Sequence, residues 1–337
     1  MTKQTTTAWE QMMEPSTVEE RTVCKLALGE HSNVYMIQLW EGIYLWANAI
    51  HRARLSDQPN AFAKYDCLLL NICHKGRCEV ELAQGNYVYM SPGILNVSAM
   101  APRPEYYYPG GVYEGIELVC DMNVLKENLP KAFADLGVTS QDLMKLKRQG
   151  NLLARVSTAA LQEEEKLFEI LCRIGSGEKT HPRIVYDLRL AIISLIYHLM
   201  HGEATILHDE TAVTKGQRKI VTDAEAELTA DLGCRVTVEQ VAEHFGVSVS
   251  AFKKYFVSVY GRPVSQYMKE KRIEKAKELL IESSESIGTI SLLCGYEHQG
   301  KFGAVFKAAT GSSPLEYRRL HRVPGKSVRR KDTNETG

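Results

Sequence analysis

The sequence predicts an α+β chain of several domains: a small β-rich domain, a helical region, and an all-α C-terminal domain that repeats one helix-turn-helix plan. Three observations predict it. Short runs rich in β-branched and aromatic residues, broken by glycine or proline, fill the stretch from Asn33 to Asp121. Apolar residues then recur three and four positions apart between Ser157 and His201. Beyond residue 215, Gly246 and Gly295 each separate two short segments of helical period.

The 337 residues suffice for two or three cores, and 44% apolar with 24% charged side chains is ordinary for a globular protein. No apolar run approaches the roughly 20 residues of a spanning helix, and MTKQTTTAWEQMMEP lacks the order of a signal peptide. The expectation is a cytoplasmic protein with no membrane partner. The formal charge is zero but uneven: from Lys215 onward about 21 Lys and Arg face about 15 acids. A basic C-terminal part points to a polyanionic partner. Cysteines 24, 67, 73, 78, 120, 172, 234 and 294 contain no CxxC pair and lie among apolar neighbours, so they read as reduced thiols, with no metal and no cofactor.

The strand-like runs are NVYMIQLW, IYLWANAIHR, YDCLLLNIC, RCEVELA, NYVYMS, ILNVSAM and VYEGIELVC, with HKG and QGN read as hairpin turns. So many short strands predict a small barrel or sandwich. STAALQEEEKLFEILCRI follows an N-cap at Ser157. HPRIVYDLRLAIISLIYHLMH sets Val185, Leu188, Ile192, Leu195 and Leu199 on one stripe, suited either to its own domain or to a second subunit. Residues 203–215 have no sustained period and read as a linker, and the polar segment after Arg319 reads as a flexible tail.

In TVEQVAEHFGVSVSAFKKYF, Val238, Val241, Ala242 and Phe245 turn inward, Gly246 makes the turn, Ser248 caps the next helix, and Phe252 returns to the core. In SIGTISLLCGYEHQGKFGAVFK the plan recurs with Ile287, Ile290, Ser291, Gly295, Phe302 and Phe306, its turn longer by one residue. Gly300 and Gly303 sit within its second helix, although each weakens a helix by roughly 1 kcal/mol relative to alanine. A helix over PVSQYMKEKRIEKAKELLIESS joins the units. In such a motif the second helix enters the major groove, where lysine donates to guanine or phosphate.

Residues 216–319 resemble the DNA-binding domain of the AraC/XylS family of bacterial transcription regulators. The resemblance rests on Ala242, Gly246, Ser248, Phe256, Gly261, Tyr267, Arg272, Ile273, Ala276, Leu279, Leu280, Ile290, Gly295, Tyr296, Phe302, Phe306, Lys307, Gly311, Pro314, Tyr317 and Arg318. It implies base-facing side chains at Ser250, Lys253 and Lys254 in the first unit, and at His298, Gln299, Gly300, Lys301 and Ala304 in the second. Ser248, Lys307 and Arg318 complete the DNA-binding set, and Lys219, Lys269, Lys271 and Arg319 are phosphate candidates, as are the tail bases Arg322, Lys326, Arg329, Arg330 and Lys331. Members often carry arginine where Lys254 stands, and a long polar or basic residue where Ala304 stands. The chain departs from both.

The resemblance also implies the rest of the plan: an N-terminal arm (1–30), a cupin-like effector-binding β-barrel (31–122), a helical dimerisation region (123–202), the linker, the DNA-binding domain (216–320) and the tail (321–337). The implied partners are double-stranded DNA, a small-molecule effector, a second copy of the chain, and RNA polymerase if the protein is an activator. A metal-dependent cupin would present HxH followed by glutamate; here His51 and His74 are isolated, and Glu79 and Glu81 read as surface residues of a strand. Binding without catalysis is therefore expected, with Tyr35, Trp46, Tyr89 and Tyr108 as effector candidates. Two other readings stand beside it: an enzyme of the alkyl-transfer repair type fused to a DNA-binding domain, which needs a reactive thiol, and an architectural DNA-binding protein indifferent to sequence.

Overall fold

A computed structural model describes residues 14–18, 21–28, 32–56, 66–82, 85–99, 105–175, 184–201, 205–207, 212–234 and 236–321. The chain divides into two units, Met1–Thr214 and Lys215–Gly337.

In the first unit nine strands form one antiparallel sheet. In spatial order they are β1 (Glu14–Val18), β2 (Arg21–Ala27), β3 (Asn33–Trp40), β4 (Ile43–Ile50), β11 (Tyr113–Asp121), β6 (Cys67–Gly76), β9 (Ile94–Ala99), β12 (Leu152–Arg155) and β13 (Thr205–Ile206). A second sheet runs β14 (Val213–Thr214), β8 (Asn86–Met90), β7 (Cys78–Glu81), and a third pairs β10 (Glu105–Tyr107) with β5 (Arg54–Ser56).

These sheets correct the expected fold class, because no closed cupin-like β-barrel forms among the described residues. A barrel needs one cyclic ladder in which the last strand pairs with the first. Here β1 and β13 are edges, and β7 and β8 stand in a separate sheet in which β7 pairs with β8 and β8 with β14. The QGN segment, read as a turn between antiparallel β7 and β8, lies partly outside the described residues, whereas HKG, also read as a turn, forms the end of β6, which belongs to a different sheet from β7. The segment read as a linker supplies β13 and β14. The domain is α+β with open sheets.

The period of two along the large sheet sorts its faces. Ile37, Leu45, Leu118, Leu70 and Val97 lie on one rung across β3, β4, β11, β6 and β9. They enter a core covered by α4 (Thr158–Gly175) and α5 (Ile184–His201). The neighbouring rung, Met36, Trp46, Glu117, Asn71 and Asn96, points to the opposite face. Between β11 and β12 lie three short helices, α1 (Met122–Leu125), α2 (Lys131–Asp135) and α3 (Ser140–Arg148).

Of the stripe proposed for dimerisation, Val185, Leu188, Ile192 and Leu195 are buried in this same core and Leu199 packs against it, so these side chains serve their own domain in the folded chain. By length and composition α5 could also cross a membrane, with a mean hydropathy of 1.3 and 39% of it buried in the fold. Asp187 and Arg189 interrupt its apolar run. Arg189 donates from Nε to the Leu39 carbonyl at 2.7 Å and lies over the Trp40 ring.

The second unit is all-α: α6 (Lys215–Ala230), α7 (Val238–His244), α8 (Val249–Tyr260), α9 (Val264–Glu282), α10 (Ile287–Leu293), α11 (Gln299–Thr310) and α12 (Pro314–His321). Its halves repeat one packing scheme. Phe256 meets Tyr267 edge-on at 5.4 Å, and Phe306 meets Tyr317 edge-on at 5.3 Å. Gly261 and Gly311 end α8 and α11 in the left-handed conformation, at φ +73° and +78°. The tail bases from Arg322 onward lie outside the described residues.

Candidate nucleic-acid interface and N-terminal cavity

Each reading unit is built from its turn outward. In the first, Thr237 and Gln240 cap α7 reciprocally, and the turn closes through Gly246 N–H to the Glu243 carbonyl and Val247 N–H to the Ala242 carbonyl. In the second, Ser286 caps α10, and the equivalent bonds run from Gly295 N–H to Leu292 and from Tyr296 N–H to Ser291. The Ser291 hydroxyl, itself buried, donates to the Tyr296 carbonyl at 3.1 Å. Both glycines have positive φ, +65° and +76°.

The units part company at the start of the second helix. Ser248 accepts the Ala251 N–H at 3.2 Å and caps α8, whereas His298 precedes α11 without a side-chain cap. Phe252 and Phe256 anchor α8, and Phe302 and Phe306 anchor α11, all fully buried. With these anchors superposed, Ser250 corresponds to Gly300, Lys253 to Gly303 and Lys254 to Ala304. Ser250, Lys253, Lys254, Gly300 and Ala304 are exposed, and Gly303 is half-buried. A methyl group on Gly300 or Gly303 would meet nothing within 4 Å, so packing within the chain does not require either glycine.

The remaining DNA-binding candidates fall into groups. His298, Gln299 and Lys301 are exposed at the start of α11, and Lys307 is exposed in its last turn. Lys219 pairs with Asp223 and Lys271 with Glu274, while Lys253 and Lys254 form no ion pair with a described residue. Arg318 is half-buried and donates to the carbonyls of Leu280 and Glu285, tying α12 to the end of α9. The buried thiols of Cys67, Cys73 and Cys120 are pushed up to about 12 by burial, and that of Cys294 to about 11. Such thiols are poor nucleophiles.

In the first unit a cavity of about 160 Å³ opens on the face of the large sheet opposite its helices. Trp46 and Tyr108 line it; Tyr35 packs in the other core, and buried Tyr89 donates its hydroxyl to Glu79 at 2.8 Å. Glu79, expected at the surface, is 7% exposed and lines the cavity. Sequence reading also missed Asn48, Asn71, Asn96 and Glu117 in its wall. The available signal was polar residues at positions alternating with core residues, as in LLLNIC and IELVC.

A tandem of capped, glycine-turned helix pairs defines a helix-turn-helix DNA-binding protein. Residues 241–320 match the family model described as a helix-turn-helix domain. The chain is 37% identical over 83 residues to the xylose operon regulatory protein of Escherichia coli K12, covering 25% of this chain and 21% of that protein. To the transcriptional activator RhaS of Klebsiella pneumoniae it is 26% identical over 209 residues, 61% of this chain and 72% of that protein. It thus spans about a fifth of the length of the xylose relative. Among solved structures, the C-terminal domain of AraT from Geobacillus stearothermophilus matches 32% of this chain and 90% of its own, at 30% identity and a TM-score of 0.31. The second unit is thus similar to the helix-turn-helix domains of bacterial transcription regulators such as these.

Proposed function

We propose that the protein is a sequence-specific transcription regulator that binds two successive major grooves through α8 and α11, and that a small effector in its N-terminal unit sets its activity. The correspondence of Lys253 and Lys254 with Gly303 and Ala304 carries the division of labour. Two exposed lysines behind a capped N-terminus give α8 donors for base edges and phosphates. On α11 the long side chains are Gln299, Lys301 and Lys307, so this helix chiefly positions the protein on phosphates while α8 supplies more of the discrimination. Helix α9, with 19 residues, is ~29 Å long, close to the ~34 Å between successive major grooves on one face of DNA. The protein acts as a homodimer, and as an activator it would contact RNA polymerase.

The test uses DNA selected from a randomised pool by the full-length protein, compared with a scrambled duplex. Lys254→Ala is expected to lose preference for the selected sequence, and Ala304→Arg to tighten binding to both duplexes. Full retention of specificity in Lys254→Ala would overturn the assignment of discrimination to α8. Equal affinity of the wild type for both duplexes would favour the architectural reading.

A further inference from the structure

We propose that Arg272 and the loop Asp231–Cys234 brace the two reading units against each other and so fix the phase at which they meet DNA, which makes Arg272 a positioning residue. This rests on the reading that α8 and α11 enter successive major grooves.

The loop joins α6 to α7 and belongs to the first reading unit. Asp231 holds its shape by accepting the Gly233 N–H on Oδ1 at 2.9 Å, and α6 before it is fastened to α9 by the Tyr267 hydroxyl, which donates to Glu225 Oε1 at 2.6 Å. The loop nevertheless lies against the turn of the second reading unit. A Cβ built on Gly295 would stand 2.4 Å from the Leu232 carbonyl oxygen, and one built on Gly233 would stand 3.4 Å from the Leu292 carbonyl oxygen and 3.5 Å from that of Leu293. The repeated plan does not require this contact. At Gly246, the counterpart of Gly295, a Cβ would meet nothing within 4 Å.

Arg272 reaches the same place from the middle of α9. Its Nε lies 3.0 Å and its Cζ 3.1 Å from the position a Gly295 Cβ would take, so the loop, the linker helix and the second turn meet at one point. That Nε is buried with no hydrogen-bond partner among the described residues, and the Leu232 carbonyl borders the same point. A buried donor left without a partner costs free energy, which a slight closing of the loop onto Arg272 recovers. Helix α9 sets the distance between the reading units. A rod alone leaves them free to turn about its axis, and a contact away from that axis removes the freedom. Rotation matters because one base pair of B-DNA advances the groove by ~3.4 Å and turns it by ~35°.

The experiment uses the full-length protein and the selected duplex, with the two protected segments located by hydroxyl-radical footprinting and one base pair then inserted or deleted between them. Wild type is expected to lose roughly tenfold or more in affinity at either altered spacing. Arg272→Ala should flatten this penalty to about threefold. In the free protein the same variant should speed amide hydrogen exchange across 231–234 while α8 and α11 keep their protection. Asp231→Ala, at an exposed position, gives both comparisons if Arg272→Ala fails to fold. Losses that run parallel at all three spacings would reduce Arg272 to general stability and overturn the assignment, as would unchanged exchange in the loop. A wild type indifferent to spacing, or protected in a single groove, refutes the two-groove reading and takes the role in phasing with it; faster exchange in the variant would then show that the contact survives as structure alone.

Discussion

Nδ1 of His74 lies 3.2 Å from Oε2 of Glu164, joining β6 to α4 where the imidazole stacks on Phe168 at 4.3 Å. Glu164 is 3% exposed in its side chain. The hydrogen bond to Glu164 raises the His74 pKa above its usual value; burial opposes this, and the charges of Glu164, Glu114 and Glu165 reinforce it. A group whose pKa is higher in the folded chain stabilises fully below its unfolded value, ~6.5 for histidine, and loses that contribution as pH rises through the folded pKa. The first unit is therefore expected to resist urea better near pH ~6 than near pH ~8 by a margin that His74→Gln lacks. Parallel pH profiles for the two proteins would refute the coupling.

The two turn glycines should differ in tolerance. Both need positive φ, which costs a substituted residue roughly 1–2 kcal/mol. At Gly246 an added Cβ meets nothing within 4 Å, but at Gly295 it would lie 2.4 Å from the Leu232 carbonyl oxygen and 3.0 Å from Arg272 Nε. Gly246→Ala should cost about the conformational term alone, and Gly295→Ala distinctly more. Urea denaturation of the two variants reads the difference, and equal losses would contradict it.

This contrast also marks how far the sequence could be read. Gly246, Gly295, Ala242, Ser291 and the phenylalanine pairs act through neighbours within one supersecondary unit, so their spacing carried the plan, including the extra residue in the second turn. The sheets were different. Alternation in NYVYMS or RCEVELA says which residues share a face and nothing about which strand lies alongside. Besides β7, β8 pairs with Val213–Thr214, far along the chain in a segment without period, so the two form a sheet apart from the large one. Asn71 and Glu117 were visible as polar interruptions; that they adjoin on one rung depends on register.

The two faces of α5 separate packing from exposure. Leu188 is fully buried in the first unit's core, whereas Leu190, two residues on, is 66% exposed. Leu188→Ala should cost ~2–5 kcal/mol in unfolding free energy and Leu190→Ala no more than ~0.5 kcal/mol. Similar losses from both, measured by urea denaturation of the full chain, would place Leu190 in a buried contact.

Gly300 and Gly303 then offer a gain of stability set against binding. Both lie in a helix, neither has positive φ, and a methyl at either meets open space. Gly303→Ala should therefore stabilise the second unit by up to about 1 kcal/mol, and Gly300→Ala, in the first turn of α11, by less. If this face approaches a DNA backbone closely, the glycines keep it low, and the methyl that stabilises the free protein obstructs the complex. The expected outcome is a higher Tm together with a several-fold loss of affinity for the selected duplex in Gly303→Ala. A higher Tm with unchanged affinity would put this face of α11 outside the interface, and an unchanged Tm would mean the helix does not bear the glycine penalty.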